Sequence, residues 1–261
     1  MMNNSVLNNL TVIREDAILI VRLSRPAKRN ALNDDTVLAL EKIFSEIPEG
    51  VNVAVIHGEG NHFCAGLDLS ELSERDAVEG VQHSRMWHRA LDRVQMGGVP
   101  VVAALHGAVV GGGLELAAAC HIRVAEASAF YALPEGQRGI FVGGGASVRV
   151  PKLMGVARMA DMMLTGRVYS AEEGLSIGLS QYLVKNGEGL AKALELAGKI
   201  AQNAPMTNFA ITQVLPRIAE LGQDQGLMME ALTAAIAQSS PEAKARVKMF
   251  LDKKAKKVGE A

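Results

Sequence analysis

The stretch HGAVVGGGLELAAAC, His106 to Cys120, follows the apolar run VVAAL at Val101 to Leu105 and sets Gly111, Gly112 and Gly113 at the head of an Ala- and Leu-rich segment. A short apolar run bounded by turn residues reads as a buried strand, and the segment behind the glycines reads as a helix. Outward from this unit the same alternation recurs. Strands are expected at Ala17 to Leu23, Val51 to Ile56 and Ile122 to Ala125, and helices at Asn33 to Ile47 and Arg75 to Val94. Strands alternating with helices favour parallel pairing. From Pro151 onward the pattern turns helical, punctuated by Gly166, Gly178, Gly187 and Pro205, and Ser170 with Glu173 has the spacing of a capping box. A boundary is expected between Gly187 and Pro205.

The chain has 261 residues, 49% hydrophobic and 21% charged, with a formal net charge of -1. Such a balance supports a large core and argues against a nucleic-acid-binding surface, which needs clustered Lys and Arg. The basic run Lys253 to Lys257 is short and terminal. Cys64 and Cys120 lack ligand or redox spacing and read as buried thiols. MMNNSVLNNL has neither the basic start nor the apolar run of a signal peptide. No apolar run reaches the roughly 18 residues that span a bilayer. A cytoplasmic protein without membrane or nucleic-acid partners is the expectation.

Three segments have the residue types of a catalytic site. In the second half of HGAVVGGGLELAAAC the glycines leave helix-start amides accessible at the positive end of the dipole, where a developing oxyanion would be stabilised. No Gly-Lys-Ser/Thr follows, so this is not a phosphate-binding loop. Glu115 falls in the first helical turn among apolar neighbours, where a carboxylate is costly unless used. HGEGNHFCAGLDLSEL, His57 to Leu72, ends a strand in small residues, with the Leu67 amide ahead of an expected helix and Asp68 spaced from Glu71 as a capping box. An ordinary strand-to-helix turn accounts for the same residues. FYALPEGQRGIFVGGGASVRVPKLMG, Phe130 to Gly155, places Glu135 before another glycine cluster. Two glutamates and two glycine-rich turns together suit an oxyanion hole with paired acid/base carboxylates.

RPAKRNALN (Arg25 to Asn33), HFCAGLDL (His62 to Leu69), GGGLELA (Gly111 to Ala117) and Pro134-Glu135, in this order along the chain, resemble the signatures of the enoyl-CoA hydratase/isomerase, or crotonase, superfamily. The resemblance implies an α/β (α+β) fold, a crotonase-like spiral of ββα units with a C-terminal helical region. It divides the chain into a core over residues 1–195 and a helical oligomerisation region over 196–261. It also implies an oxyanion hole from the Leu67 and Gly112 amides and catalytic Glu115 and Glu135. Coenzyme A contacts would come from Ala27, Arg29, Ala31, Ala65, Asp68, Phe250 and Lys253. No metal or separate cofactor is implied, coenzyme A being part of the substrate, and a homotrimer or homohexamer is.

Retention of both glutamates resembles the hydratases, which add water to a trans-2-enoyl-CoA. Another crotonase-type reaction, or a non-catalytic acyl-CoA-binding homologue, is the alternative. The sequence departs from the pattern at Ser70, where hydratases carry a coenzyme-binding lysine, and at His121, Val142 and Ala146. His83, Trp87 and His88 lie on the helix resembling the acyl-pocket wall and are read as packing or surface residues rather than substrate contacts. Arg138 is read as a solvated loop arginine, with a second substrate carboxylate as its other conceivable partner.

Overall fold

The structure is a computed structural model that describes residues 4–71 and 75–252. Strands β1 (Asn4–Leu7), β2 (Leu10–Glu15) and β3 (Ile18–Leu23) form an antiparallel meander. Its turns rest on Asn8, Asn9 and Asp16, with φ of 42°, 66° and 52°, a region that Asn and Asp tolerate better than most residues. Helix α1 (Asp34–Ser45) follows, its start capped by the Asn33 side chain, which accepts the Thr36 N–H at 3.1 Å. Next come β4 (Val53–Gly58), α2 (Ala77–Met96), β5 (Val101–Leu105), β6 (Ala108–Val110), α3 (Gly112–Ala119), β7 (Ile122–Glu126) and β8 (Phe130–Ala132). Helices α4 (Ala146–Met154) and α5 (Val156–Thr165), β9 (Tyr169–Ser170), α6 (Ala171–Ile177), β10 (Tyr182–Val184) and α7 (Gly189–Ala201) complete the first compact unit, residues 1–201.

The larger sheet runs β1-β2-β3-β4-β5-β7-β10, parallel from β3 onward, and β6-β8-β9 forms a second, smaller sheet. Strand pairs leading into a helix recur as β2-β3-α1 and β5-β6-α3. The apolar runs of β4 and β5 are continuous because both faces of the parallel sheet are covered. Ala54, Ile56, Val101, Ala103 and Leu105 pack into the core shared with α1, α2 and α3. Val53, Val55, Val102 and Ala104 pack against Ala193, Leu196 and Ala197 of α7. Every residue of α3 is buried, which accounts for its lack of a polar face.

Two differences from the sequence reading concern the N-terminal half. The strands β1 and β2 were not anticipated, since NSVL is short and LTVIRE is interrupted by Thr11 and ends in Arg14 and Glu15. The helix expected directly after Asp68 is a single 3₁₀ turn, Leu69–Glu71. Asp68 does not cap it as a box. Its carboxylate turns back on Ser70, accepting the backbone N–H at 3.0 Å and the hydroxyl at 2.6 Å. The true capping box lies at Asp76 and Glu79 and opens α2. The box at Ser170 and Glu173 forms as expected and opens α6.

The second compact unit, residues 202–261, contains α8 (Pro205–Phe209), a π-helical segment Ala210–Val214, α9 (Leu215–Ile218), α10 (Gln223–Ser239) and α11 (Pro241–Leu251). Leu227, Met228, Leu232 and Ile236 of α10 are each more than half exposed. No described helix is long and apolar enough to cross a membrane.

Candidate active site

The two candidate oxyanion amides are brought together by main-chain bridging. Beyond β4, Cys64 bridges β6: its N–H donates to the Ala108 carbonyl at 2.9 Å and its carbonyl accepts the Val110 N–H at 3.1 Å. Three residues on, the Leu32 N–H donates to the Gly66 carbonyl and the Asp68 N–H to the Leu32 carbonyl, both at 2.8 Å. This parallel bridge uses the groups flanking Leu67 and leaves the Leu67 N–H pointing the other way. Gly112 begins α3, so its N–H has no carbonyl one turn back. A Cβ on Gly112 would stand 3.4 Å from the Leu67 nitrogen, which places the two amides side by side. Among the described residues neither amide donates to a protein acceptor.

Glu115, one turn into α3, is only 4% exposed. Its Oε1 accepts two amides, Gly144 at 2.8 Å and Ala146 at 3.0 Å. Arg149 braces that loop, donating to the Gly144 carbonyl at 3.0 Å while ion-paired with Asp92 at 2.5 Å. Burial pushes the Glu115 carboxyl above the usual range, and the Ala146 and Gly144 amides and then Arg149 pull it partly back. The Ala146 contact is through the main chain, so it does not depend on the side chain at that position.

Glu135 follows β8 and caps the 3₁₀ turn Gly136–Arg138. It is half-buried, and its Oε2, wholly shielded from solvent, has no hydrogen-bond partner among the described residues. Its carboxyl too is raised, first by burial and further by the charge of Glu115, against its own amide and Arg138. Gly111 makes room for it. A Cβ at Gly111 would lie 2.8 Å from the Glu135 Oε1, and φ of 52° with ψ of -123° is a conformation that in practice belongs to glycine.

Leu67, Gly112, Glu115 and Glu135, with Ala65, line one cavity of about 310 Å³. Leu69, Trp87, Ile140 and Phe141 supply apolar wall. His83 and Trp87, read from the sequence as packing or surface residues, both face the cavity, whereas His88 is not part of its lining. The signal that would have found this wall was present: Gly80, His83, Ser84 and Trp87 follow the i, i+3, i+4, i+7 rhythm of one helix face. Arg75, Ile140, Phe141 and Gly144 also line the cavity and were missed, since loop residues have no periodicity to read. Arg138, read as a solvated loop residue, is exposed and lines the cavity as well.

Of the other candidate residues, Ala27, Arg29 and Ala31 lie on and after the 3₁₀ turn Pro26–Lys28. The Arg29 carbonyl accepts the Ala65 N–H at 3.0 Å, so this loop is tied to the cavity rim. Asp68 is buried and ion-paired with Arg25 at 2.7 Å, and the Ser70 hydroxyl foremost holds its carboxyl below the usual range. The Lys28 ammonium reaches the Ser70 hydroxyl at 3.3 Å, so a lysine from another segment stands at the position that lacks one. Phe250, on α11 of the second unit, is 69% exposed, and Lys253 lies outside the described residues. His121 Nδ1 accepts the Val101 N–H at 2.9 Å, a structural role. Cys64 and Cys120 are free and buried, their thiols pushed up to about 12 by burial. Among the described residues no group of three or more His, Cys, Asp or Glu is placed to hold a metal ion.

The family model for enoyl-CoA hydratase/isomerase matches residues 14–260. The short-chain-enoyl-CoA hydratase of Clostridium acetobutylicum is 31% identical over 251 residues, 95% of this chain and 96% of the relative. The 2,3-dehydroadipyl-CoA hydratase of Escherichia coli is also 31% identical, over 95% of this chain and 97% of the relative. A crystal structure from Rhodopseudomonas palustris superposes with a TM-score of 0.93 at 61% identity, covering 96% of this chain and 98% of that one.

Proposed function

The chain belongs to the enoyl-CoA hydratase/isomerase family, and from that membership we propose that it is a hydratase adding water reversibly across the 2,3 double bond of an enoyl-CoA thioester. The observation that carries the reading is the meeting of two raised-pKa glutamates and two unengaged amides in one cavity. The thioester oxygen is received by the Leu67 and Gly112 N–H groups, which stabilise the enolate more than the ground-state carbonyl. Glu115, whose Oε1 accepts two amides, is the ionised partner and takes a proton from the attacking water as its oxygen bonds to C3. Glu135, raised further by that neighbouring charge, is the protonated partner and delivers its proton to C2. The 3-hydroxyacyl-CoA leaves with the elements of one water added. A return proton transfer between the glutamates, or through solvent, resets the pair.

The coenzyme is proposed to lie along the loop of Ala27, Arg29 and Ala31 beside Ala65 and Asp68, with Phe250 and Lys253 of an adjacent chain completing its site. No metal or further cofactor takes part in this scheme. The exposed apolar residues of α10 support a homotrimer or homohexamer, and a cytoplasmic location goes with the reading. Incubation with crotonyl-CoA tests the function. Loss of enoyl-thioester absorbance with formation of 3-hydroxybutyryl-CoA is the expected result, and an inert protein that still binds the thioester would leave a binding homologue in its place.

A further inference from the structure

The hydrocarbon-rich wall of the cavity is interrupted by two arginines, Arg75 ahead of α2 and Arg138 at the end of the turn behind Glu135. An arginine in an acyl pocket loses hydration when substrate fills it, a cost that is offset only by an anion at hydrogen-bonding distance. Arg75 has a partial answer within the protein. Its Nη2 lies 3.6 Å from Asp34 Oδ2, but the same carboxylate is engaged by His83 Nε2 at 2.8 Å. Arg138 forms no ion pair among the described residues, although its charge is felt by Glu135. Its position is set relative to that glutamate, because the Arg138 N–H donates to the Glu135 carbonyl at 3.0 Å. The coenzyme phosphates have other cations available in the loop proposed to hold them, Lys28 and Arg29.

We infer that the cavity receives an enoyl-CoA whose acyl chain ends in a second carboxylate, bound by Arg138 with Arg75 in support. This rests on the hydratase reading and names its substrate class. A planar guanidinium pairs with a carboxylate through two parallel hydrogen bonds, so it anchors the far end of the chain as well as compensating its charge.

The test compares trans-2-hexenoyl-CoA with the trans-2-enoyl-CoA of equal length ending in a carboxylate. In the wild-type protein kcat/KM is expected to favour the carboxylated thioester by about tenfold or more. Arg138→Met should lower kcat/KM for that substrate by about 10- to 100-fold and change the neutral one far less, with Arg138→Lys restoring part of the difference. Any effect passed through Glu135 falls on both substrates and cancels in their ratio. Arg75→Gln should shift the same ratio in the same direction by a smaller factor. Raised salt should shrink it as well, the site being open at Arg138. A wild-type protein that hydrates both thioesters alike, or prefers the neutral one, overturns the inference and leaves the hydratase reading standing. So does an Arg138→Met variant with equally raised KM for both, the mark of a coenzyme contact. Failure to hydrate either thioester overturns both.

Discussion

The two glutamates reach the same cavity from opposite kinds of surroundings. Glu115 stands on a fully buried helix with one oxygen held by two amides, and the loop offering them is braced by Arg149. Glu135 stands on a short turn behind β8, half-buried, with one shielded oxygen that no protein donor meets. Preorganised donors favour a charge that stays, whereas a carboxyl in poorly solvated surroundings beside that charge favours its proton. In the proposed reaction this contrast is what divides the labour between two chemically identical side chains.

The largest expected effect removes either carboxylate. Glu115→Gln and Glu135→Gln should each lower turnover of enoyl-CoA by about 10²–10⁴ without unfolding the protein. In the double variant the losses should not multiply, because both groups act on one transition state. Turnover should be bell-shaped in pH, with both limits above the ordinary glutamate value of about 4.3. Loss of the alkaline limb alone in Glu135→Gln would sharpen the assignment, and loss of the acid limb alone in that variant would reverse it.

Gly144→Ala attacks the cradle. Its Cβ would lie 2.5 Å from Glu115 Oε2 and 3.0 Å from the Trp87 ring, so the carboxylate must shift against the two amides that hold its Oε1. Turnover should fall roughly 10²-fold, the cost of misplacing a reacting group by about an ångström. Unimpaired kinetics in a folded variant would show that the cradle tolerates displacement. Gly111→Ala touches the looser glutamate and should act on stability instead. The strained backbone at Gly111 costs on the order of 1–3 kcal/mol in urea unfolding, while Glu135 can rotate away from the new methyl. A turnover loss as large as that of Gly144→Ala would erase the contrast between the two sites.

The smallest effect is on the pH dependence of stability. Both carboxyls are raised in the folded protein, so between the unfolded value and the raised one the native state binds more protons. Their contribution is therefore present at low pH and lost as pH rises through the folded values. Unfolding free energy measured from about pH 4.5 upward should fall less steeply in Glu115→Gln than in wild type. A steeper fall in that variant would mean that the cradle outweighs burial and holds Glu115 below its ordinary range.

Much of this was legible in the residues. Strand segments at Val101 to Leu105 and Ile122 to Ala125 alternating with helical ones announced the parallel pairing that β5 and β7 make. The glycines at 111–113 and the carboxylate at 115 announced a helix start with free amides and an acid in apolar surroundings. The Gly144 and Ala146 donors and the Gly66–Leu32–Asp68 bridging were invisible, since each uses main-chain groups of segments distant in sequence. Main-chain groups are the same in every residue and leave no compositional trace. The sequence by itself therefore determined the alternation of strands and helices from β3 onward, the buried helix and which acids and amides are the candidates. Only the tertiary structure decided which glutamate is clamped by two amides and which keeps an oxygen without a donor among the described residues, and that arginines line the cavity. Burial and donor geometry arise when loops distant along the chain converge, and a linear pattern does not specify that convergence.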